Sequence, residues 1–307
     1  MPPPNQTRNI VLVGASGTIG APILSALITK GHRVSVLTRP SSNGVFPASV
    51  TTHKVDYNDE ASAAAILAGQ DVLIMALSWK AYDAQVPLIK AAAKARVPYV
   101  VPTEFGSDAT QPKIMTEIDL MRVKAPYRKL IEDLGVSAWI GITNNPWVEF
   151  CMARAALGID LKEKYAVLVD GGTTKINCTT LKRVGESLAA LLALPDEELA
   201  QYKNEWAFFS SFYVSQRDLL ASAMRVTRTQ EQNWTIIRSS EQAGECRKLD
   251  KDKEGKGKPM IGRLFLILLT ERWGGDYNWK VIDYTRLGLK QENLDEVMQN
   301  LTEKLQG

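Results

Sequence analysis

The chain has 307 residues, of which 45% are hydrophobic and 23% charged, with a formal net charge of +3 at pH 7. It can bury one large core or two smaller ones, and its balance gives no case for disorder or for nucleic acid as a partner. Cys151, Cys178 and Cys246 stand far apart without paired spacing, which suits free thiols in a reducing, cytoplasmic compartment. No charged-then-apolar signal opens the sequence and the apolar run at 264–269 is too short to cross a bilayer, so no membrane association is expected.

The first apolar, β-branched run, residues 8–13, leads into Gly14-Ala15-Ser16-Gly17-Thr18-Ile19-Gly20 and then a helix pattern from Ala21 to Lys30. Strand, glycine loop and helix start place free backbone N–H groups and a positive helix end where a pyrophosphate docks. Gly14, Gly17 and Gly20, with Ser16, Thr18 and Ile19 between them, are the candidate cradle of a dinucleotide. The second strand, 33–37, runs out into Thr38-Arg39-Pro40-Ser41-Ser42 with no acid to bond a ribose 2′-hydroxyl. A guanidinium there suits a 2′-phosphate, so NADPH is the expected cofactor; a solvent-facing arginine is the alternative. Asp56, after the third strand at 51–55, either accepts from the adenine amino group or caps the following helix.

Strand patterns continue at 71–76, 98–101 and 136–142, alternating with helix patterns at 60–67, 81–95 and 116–134. Such alternation predicts an α/β fold, a Rossmann-type doubly wound parallel sheet that binds ligands beyond the carboxyl ends of its strands. From about residue 146 the alternation breaks. Short strands are expected at 165–169, 175–178, 208–213 and 234–237, among helices at 181–194, 215–225, 259–273 and 292–305. The expected division is an NADP-binding Rossmann domain over 1–145 and a smaller mixed α/β substrate-binding region over 146–307. The basic stretch from Arg247 to Lys258 also holds three acidic residues and no aromatic, and reads as a solvated loop.

His32 and His53 have no third ligand in step with them, so neither a histidine metal site nor a Ser-His-Asp triad is expected. No tyrosine stands four residues before a lysine near the expected site: Tyr127 is followed at that distance by Ile131. Another residue must then handle protons. Read alone, Lys124 is a solvated helix lysine. Arg128, one turn further, would either repel a nearby ammonium or hold Glu132 at i+4.

Gly14-x-x-Gly17-x-x-Gly20, Arg39, Val101-Pro102-Thr103-Glu104-Phe105-Gly106 and Lys124 in Lys124-Ala125-Pro126-Tyr127-Arg128 together resemble the NmrA-like, isoflavone reductase-like family of atypical short-chain dehydrogenases, fungal members above all. The resemblance covers most of the chain and is strongest over 8–150. It implies an NADPH-dependent oxidoreductase of secondary metabolism that delivers hydride to an aromatic, enone or quinone-methide-like small molecule, including polyketide-like ones. It also implies that Lys124 is the general acid or base beside the cofactor, and that Ser78 and Trp79 approach the ribose and pyrophosphate. Thr103 and Phe105 would flank the nicotinamide, with Asn144, Asn145 and Pro146 beside it.

Where related reductases usually carry an Asn-Gly/Met-Phe-Phe type segment, this chain has Asn144-Asn145-Pro146-Trp147-Val148-Glu149-Phe150. Trp147 and Phe150 are therefore candidate walls for a flat substrate, core packing being the plainer role of each. Phe208, Phe209, Phe212 and Tyr213 would divide two to each face of a single strand. The family also contains non-catalytic NAD(P)-sensing regulators that bind a protein partner, which is the alternative function. The oligomeric state is left open, a homodimer included.

Overall fold

The computed structural model describes residues 6–239, 262–271 and 273–306. The first strand, β1 (Asn9–Val13), is apolar from Ile10 to Val13 and buried there on both faces, as a central parallel strand must be. It leads through the glycine loop into α1 (Gly20–Lys30), which returns Ile23, Leu24 and Leu27 to the sheet and stops at left-handed Gly31. β2 (Arg33–Thr38), β3 (Thr51–Lys54), α2 (Glu60–Leu67) and β4 (Val72–Met75) follow. Next come a 3₁₀ turn (Trp79–Ala84), α3 (Gln85–Lys94) and β5 (Tyr99–Val101).

The helix expected over 116–134 is three pieces: α4 (Pro112–Glu117), α5 (Asp119–Arg122) and α6 (Ala125–Leu134). Extended backbone at Ile118 separates the first two, and Pro126 sits in the first turn of α6, where its missing N–H is harmless. β6 (Ala138–Thr143) ends the alternation. Beyond it lie α7 (Val148–Met152), β7 (Ile159–Asp160), β8 (Tyr165–Val169), β9 (Lys175–Cys178), α8 (Leu181–Leu192) and α9 (Asp196–Leu199). The chain closes with β10 (Glu205–Phe208), β11 (Phe212–Ser215), α10 (Gln216–Thr227), β12 (Thr235–Ser239), α11 (Arg263–Leu269) and α12 (Leu294–Gln306).

Seven strands form the central sheet in the order β10-β6-β5-β4-β1-β2-β3, and all its pairings are parallel. The order reverses between β1 and β4, which opens the crevice where doubly wound sheets take their ligands. Side-chain alternation sends Ile10 and Leu12 to the face covered by α1 and α8, and Val11 and Val13 to the face covered by α2, α3 and α6. α8 crosses α1 closely at Gly185, where a Cβ would come within 2.5 Å of the Pro22 carbonyl oxygen.

The later half does not stay apart from this sheet, because β10 pairs along β6 with Glu205 opposite Ile140. The single strand expected over 208–213 is instead two: β10 ends at Phe208, and β11 starts at Phe212 in a separate antiparallel pair with β9. A second core gathers Val148, Leu168, Cys178, Leu219 and Met298. A small third one packs Ile114, Ile118 and Met121 against Ile267 and Leu268. Cys246 and the basic stretch 247–258 lie outside the described residues, as does part of the helix expected over 259–273. Among the described residues no helix is long and apolar enough to cross a membrane.

Candidate active site

The glycine loop lies flat against the exit of β4. Gly14 has φ +82°, and a Cβ there would overlap the Ala76 carbonyl oxygen; at Gly20 one would overlap the Gly14 carbonyl oxygen. Gly17 N donates to Gly14 O at 2.9 Å, which closes the turn. Ser16, Gly17 and Thr18 face outward while Ile19 is buried and anchors the loop. No side chain caps α1 and no acid stands in its first turn, so its positive end has nothing of the protein's own to neutralise it. Loop and helix end together fit a pyrophosphate.

Arg39 is exposed one residue past β2, with no carboxylate partner among the described residues. Beside it the Tyr57 hydroxyl donates to Leu37 O at 3.2 Å, and burial, opposed by the Arg39 charge, pushes Tyr57 up to about 12. Asp56 is exposed, and its carboxylate accepts from Asn58 N at 3.0 Å. The cap of α2 is Asp59, which accepts from Ser62 N, so the helix-capping alternative for Asp56 does not hold. Ser78 is exposed and accepts from Lys80 N, and Trp79 next to it is 64% exposed at the crevice edge.

Thr103 ties two strand exits together. Its hydroxyl donates to Met75 O at 2.8 Å and its N–H to Gln85 Oε1 at 2.9 Å. Phe105, two residues on, is buried in the main core.

Lys124 is only 5% exposed, so it is not a solvated helix lysine. It sits in the joint between α5 and α6 as the residue preceding the α6 helix, and its Nζ donates to Glu104 O at 2.7 Å. The same ammonium is 3.8 Å from Glu104 Oε2. Glu104, 2% exposed, pairs through Oε1 with Arg128. Arg128 therefore does not hold Glu132, which instead accepts from Trp139 Nε1 at 2.7 Å. The Arg128 guanidinium lies 4.9 Å from the Trp206 ring and 5.7 Å from that of Trp139. Burial pulls the Lys124 pKa down; the Glu104 charge opposes this and Arg128 adds to it. Burial likewise raises Glu104, against the pull of both cations.

Tyr82, which the sequence pattern did not single out, turns its ring toward Lys124 at 5.9 Å. It packs edge-on to Tyr127, whose hydroxyl is taken by Asp83 at 3.2 Å. In the sequence Glu104 stands out only as part of the Pro102-Thr103-Glu104-Phe105-Gly106 motif. An acid wedged into Val100-Val101-Pro102-Thr103-Glu104-Phe105 was the available signal, because a carboxylate in an apolar run must be paired.

At the end of β6, Asn144 N and Asn145 N both donate to Gly106 O, at 2.9 and 3.0 Å. Asn144 Oδ1 accepts from Trp147 Nε1 at 3.1 Å, whereas Asn144 Nδ2 is buried without a protein partner among the described residues. Asn145, at φ +51°, donates Nδ2 to Gly275 O at 2.8 Å. Pro146 is buried. Trp147 and Phe150 do meet, edge to face at 5.7 Å. Trp147 is half-buried against the main core and Phe150 borders the second one, with Arg154 over its ring at 3.8 Å. His32 is structural: its ring nitrogens bind Arg8 N and Ala189 O. Among the described residues no His, Cys, Asp or Glu cluster fits a metal.

The model of the NmrA-like family matches residues 6–145. Over 295 residues the chain is 30% identical to oxidoreductase poxI of Penicillium oxalicum, covering 92% of this chain and 90% of that one. It is 29% identical over 311 residues to oxidoreductase aprR of Aspergillus flavus, covering 96% and 99% respectively. Its fold is similar to that of an isoflavone reductase, with TM-score 0.78, 20% identity and coverage of 96% and 99%. AtPrR2, solved with NADP+ and (+)pinoresinol, is similar too, with TM-score 0.75, 18% identity and coverage of 96% and 99%.

Proposed function

The chain belongs to the NmrA-like family of isoflavone reductase-like proteins, and from that membership we propose that it is an NADPH-dependent reductase delivering hydride to an aromatic, enone or quinone-methide-like small molecule. The observation that carries the reading is the buried Lys124, held by Glu104 O beside the Glu104–Arg128 pair. Burying an ammonium is costly, and a depressed pKa is what a proton donor near neutral pH requires. A dinucleotide-binding regulator would need no such group.

Gly14, Ser16, Gly17, Thr18, Ile19 and Gly20 would hold the pyrophosphate at the end of α1, and Arg39 the 2′-phosphate. Asp56 would border the adenine, Ser78 the ribose and pyrophosphate, and Thr103, Phe105, Asn144 and Pro146 the nicotinamide. The orphaned Asn144 Nδ2 supports this, since a buried donor asks for an acceptor from a ligand. When bound, NADPH supplies hydride. Lys124 supplies or takes the proton at the substrate heteroatom, and Trp147 with Phe150 forms a wall for a flat, aromatic or polyketide-like substrate. We read the protein as cytoplasmic and active in secondary metabolism, with residues beyond 146 shaping specificity.

The test is NADPH oxidation by the purified protein against a panel of quinones, enones and flavonoid-like compounds, beside titrations of NADPH and NADH. Turnover of an acceptor with NADPH preferred supports the reading. Tight NADPH binding without turnover of any acceptor would favour the sensing regulator.

A further inference from the structure

We propose that Glu104 is the positioning residue of the proton site: clamped on one oxygen by Arg128, its carboxylate holds the other toward Lys124 and sets the pH at which that lysine is charged. This rests on the reductase reading only for its effect on turnover. The coupling itself is a property of the folded chain.

One residue grips the lysine twice. The main-chain oxygen of Glu104 accepts from Nζ at 2.7 Å, and its carboxylate Oε2 faces the same nitrogen at 3.8 Å. Oε2 is buried and has no hydrogen-bond partner among the described residues, although a carboxylate oxygen in an apolar setting demands one. An ammonium has three donors, and among the described residues one hydrogen bond of Nζ is formed, to Glu104 O. A small shift of Nζ completes the pair when the lysine is charged.

Arg128 makes the arrangement fixed. Its guanidinium pairs with Oε1 and is flanked by the Trp139 and Trp206 rings. Trp206 lies across Gly141, where a Cβ would come within 2.5 Å of its ring. Arginine keeps its charge at every accessible pH, so the Arg128–Glu104 pair is neutral as a unit. While Glu104 stays ionised, the proton on Lys124 is the movable charge of the group. The other groups facing Lys124 are Tyr82 from the 3₁₀ turn and Tyr127 with Asp83 beyond it; Glu132 is spent on Trp139. None of these replaces a carboxylate at 3.8 Å.

In Glu104→Gln the shape is kept, but Arg128 faces the ammonium with nothing between them to offset it. The experiment reads Lys124 directly in cofactor-free protein. The lysine Cε resonance is followed against pH by NMR with labelled lysine and assigned by its loss in Lys124→Met. In Glu104→Gln its midpoint should fall by about one unit or more, roughly a tenfold loss of proton affinity. The limb of the kcat profile set by Lys124 should fall by the same amount while NADPH affinity stays near wild type; the melting temperature should drop, because Arg128 loses its buried carboxylate partner.

A folded Glu104→Gln protein with an unmoved midpoint overturns the proposal, whatever happens to turnover. If that variant does not fold, Glu104→Asp is read in its place: a smaller downward shift supports the coupling, and no shift overturns it. A shifted midpoint in a protein that reduces no acceptor supports the coupling and counts against the reductase reading instead.

Discussion

Lys124 and Arg39 carry the same charge in opposite settings, and their predicted variants differ accordingly. Arg39 is exposed and without a carboxylate partner among the described residues. Arg39→Glu should weaken NADPH binding by about 2–4 kcal/mol, the scale of a lost charge-assisted contact plus new repulsion, with little change for NADH. Parallel titrations check this, and equal loss for both cofactors would make Arg39 structural. Lys124 is buried, and Lys124→Ala should lower kcat by about 10²- to 10⁴-fold while NADPH affinity holds. Lys124→Arg should not rescue, because a guanidinium releases no proton near neutral pH; wild-type turnover in Lys124→Ala would make the lysine a bystander. Arg39 was legible in the sequence because its place after β2 is local. The burial of Lys124 was not, since Glu104 and Tyr82, which enclose it, stand 20 and 42 positions upstream.

Among the elements, the strands and helices through β6 follow the period of their apolar residues, and the misreadings fall where the backbone leaves its element inside an unbroken sequence pattern. Extended Ile118 cuts the long helix pattern, and the apolar periodicity on either side gives no sign of it. The aromatic run 208–213 satisfied strand propensity but hid the turn at Ser210-Ser211, through which the chain changes sheets. His32 shows how elements are tied together: its Nδ1 accepts from Arg8 N beside β1 and its Nε2 donates to Ala189 O in α8. Burial, first of all, holds its pKa below the ordinary 6.5, and the Arg8 and Lys30 charges add to this, against the Ala189 hydrogen bond. A histidine kept neutral in the fold gives stability that is full above its unfolded pKa and is lost as pH falls below it. Chemical denaturation at about pH 7.5 and about pH 5.5 should therefore show a loss of stability on acidification in wild type, and a smaller one in His32→Gln. Equal losses would remove His32 as the cause.

For the molecule as a whole, six strands of the parallel sheet were readable from their apolar, β-branched runs alternating with helix patterns. The seventh was not, since β10 is four residues, Glu205-Trp206-Ala207-Phe208, within a stretch that no longer alternates. Its place matters for any division near residue 145. A fragment of residues 6–145 would lose β10 from the β6 edge and α8 from α1, and with α8 the Ala189 acceptor of His32. It should bind a hydrophobic dye, lack sharp near-ultraviolet dichroism and fail to bind NADPH, as a chain without its packing does; full cofactor affinity in the fragment would refute this. The same strand bears on how the protein is made. β6 ends at Thr143 and β10 at Phe208, about 65 residues later, and at ~5–20 residues per second a ribosome spends roughly 3–13 s between them. Throughout that interval the nascent chain carries an unpaired β6 edge with Trp139 uncovered, so its exposure to chaperones, and to misassembly between neighbours on one messenger, is set by translation speed across the second half of its own message.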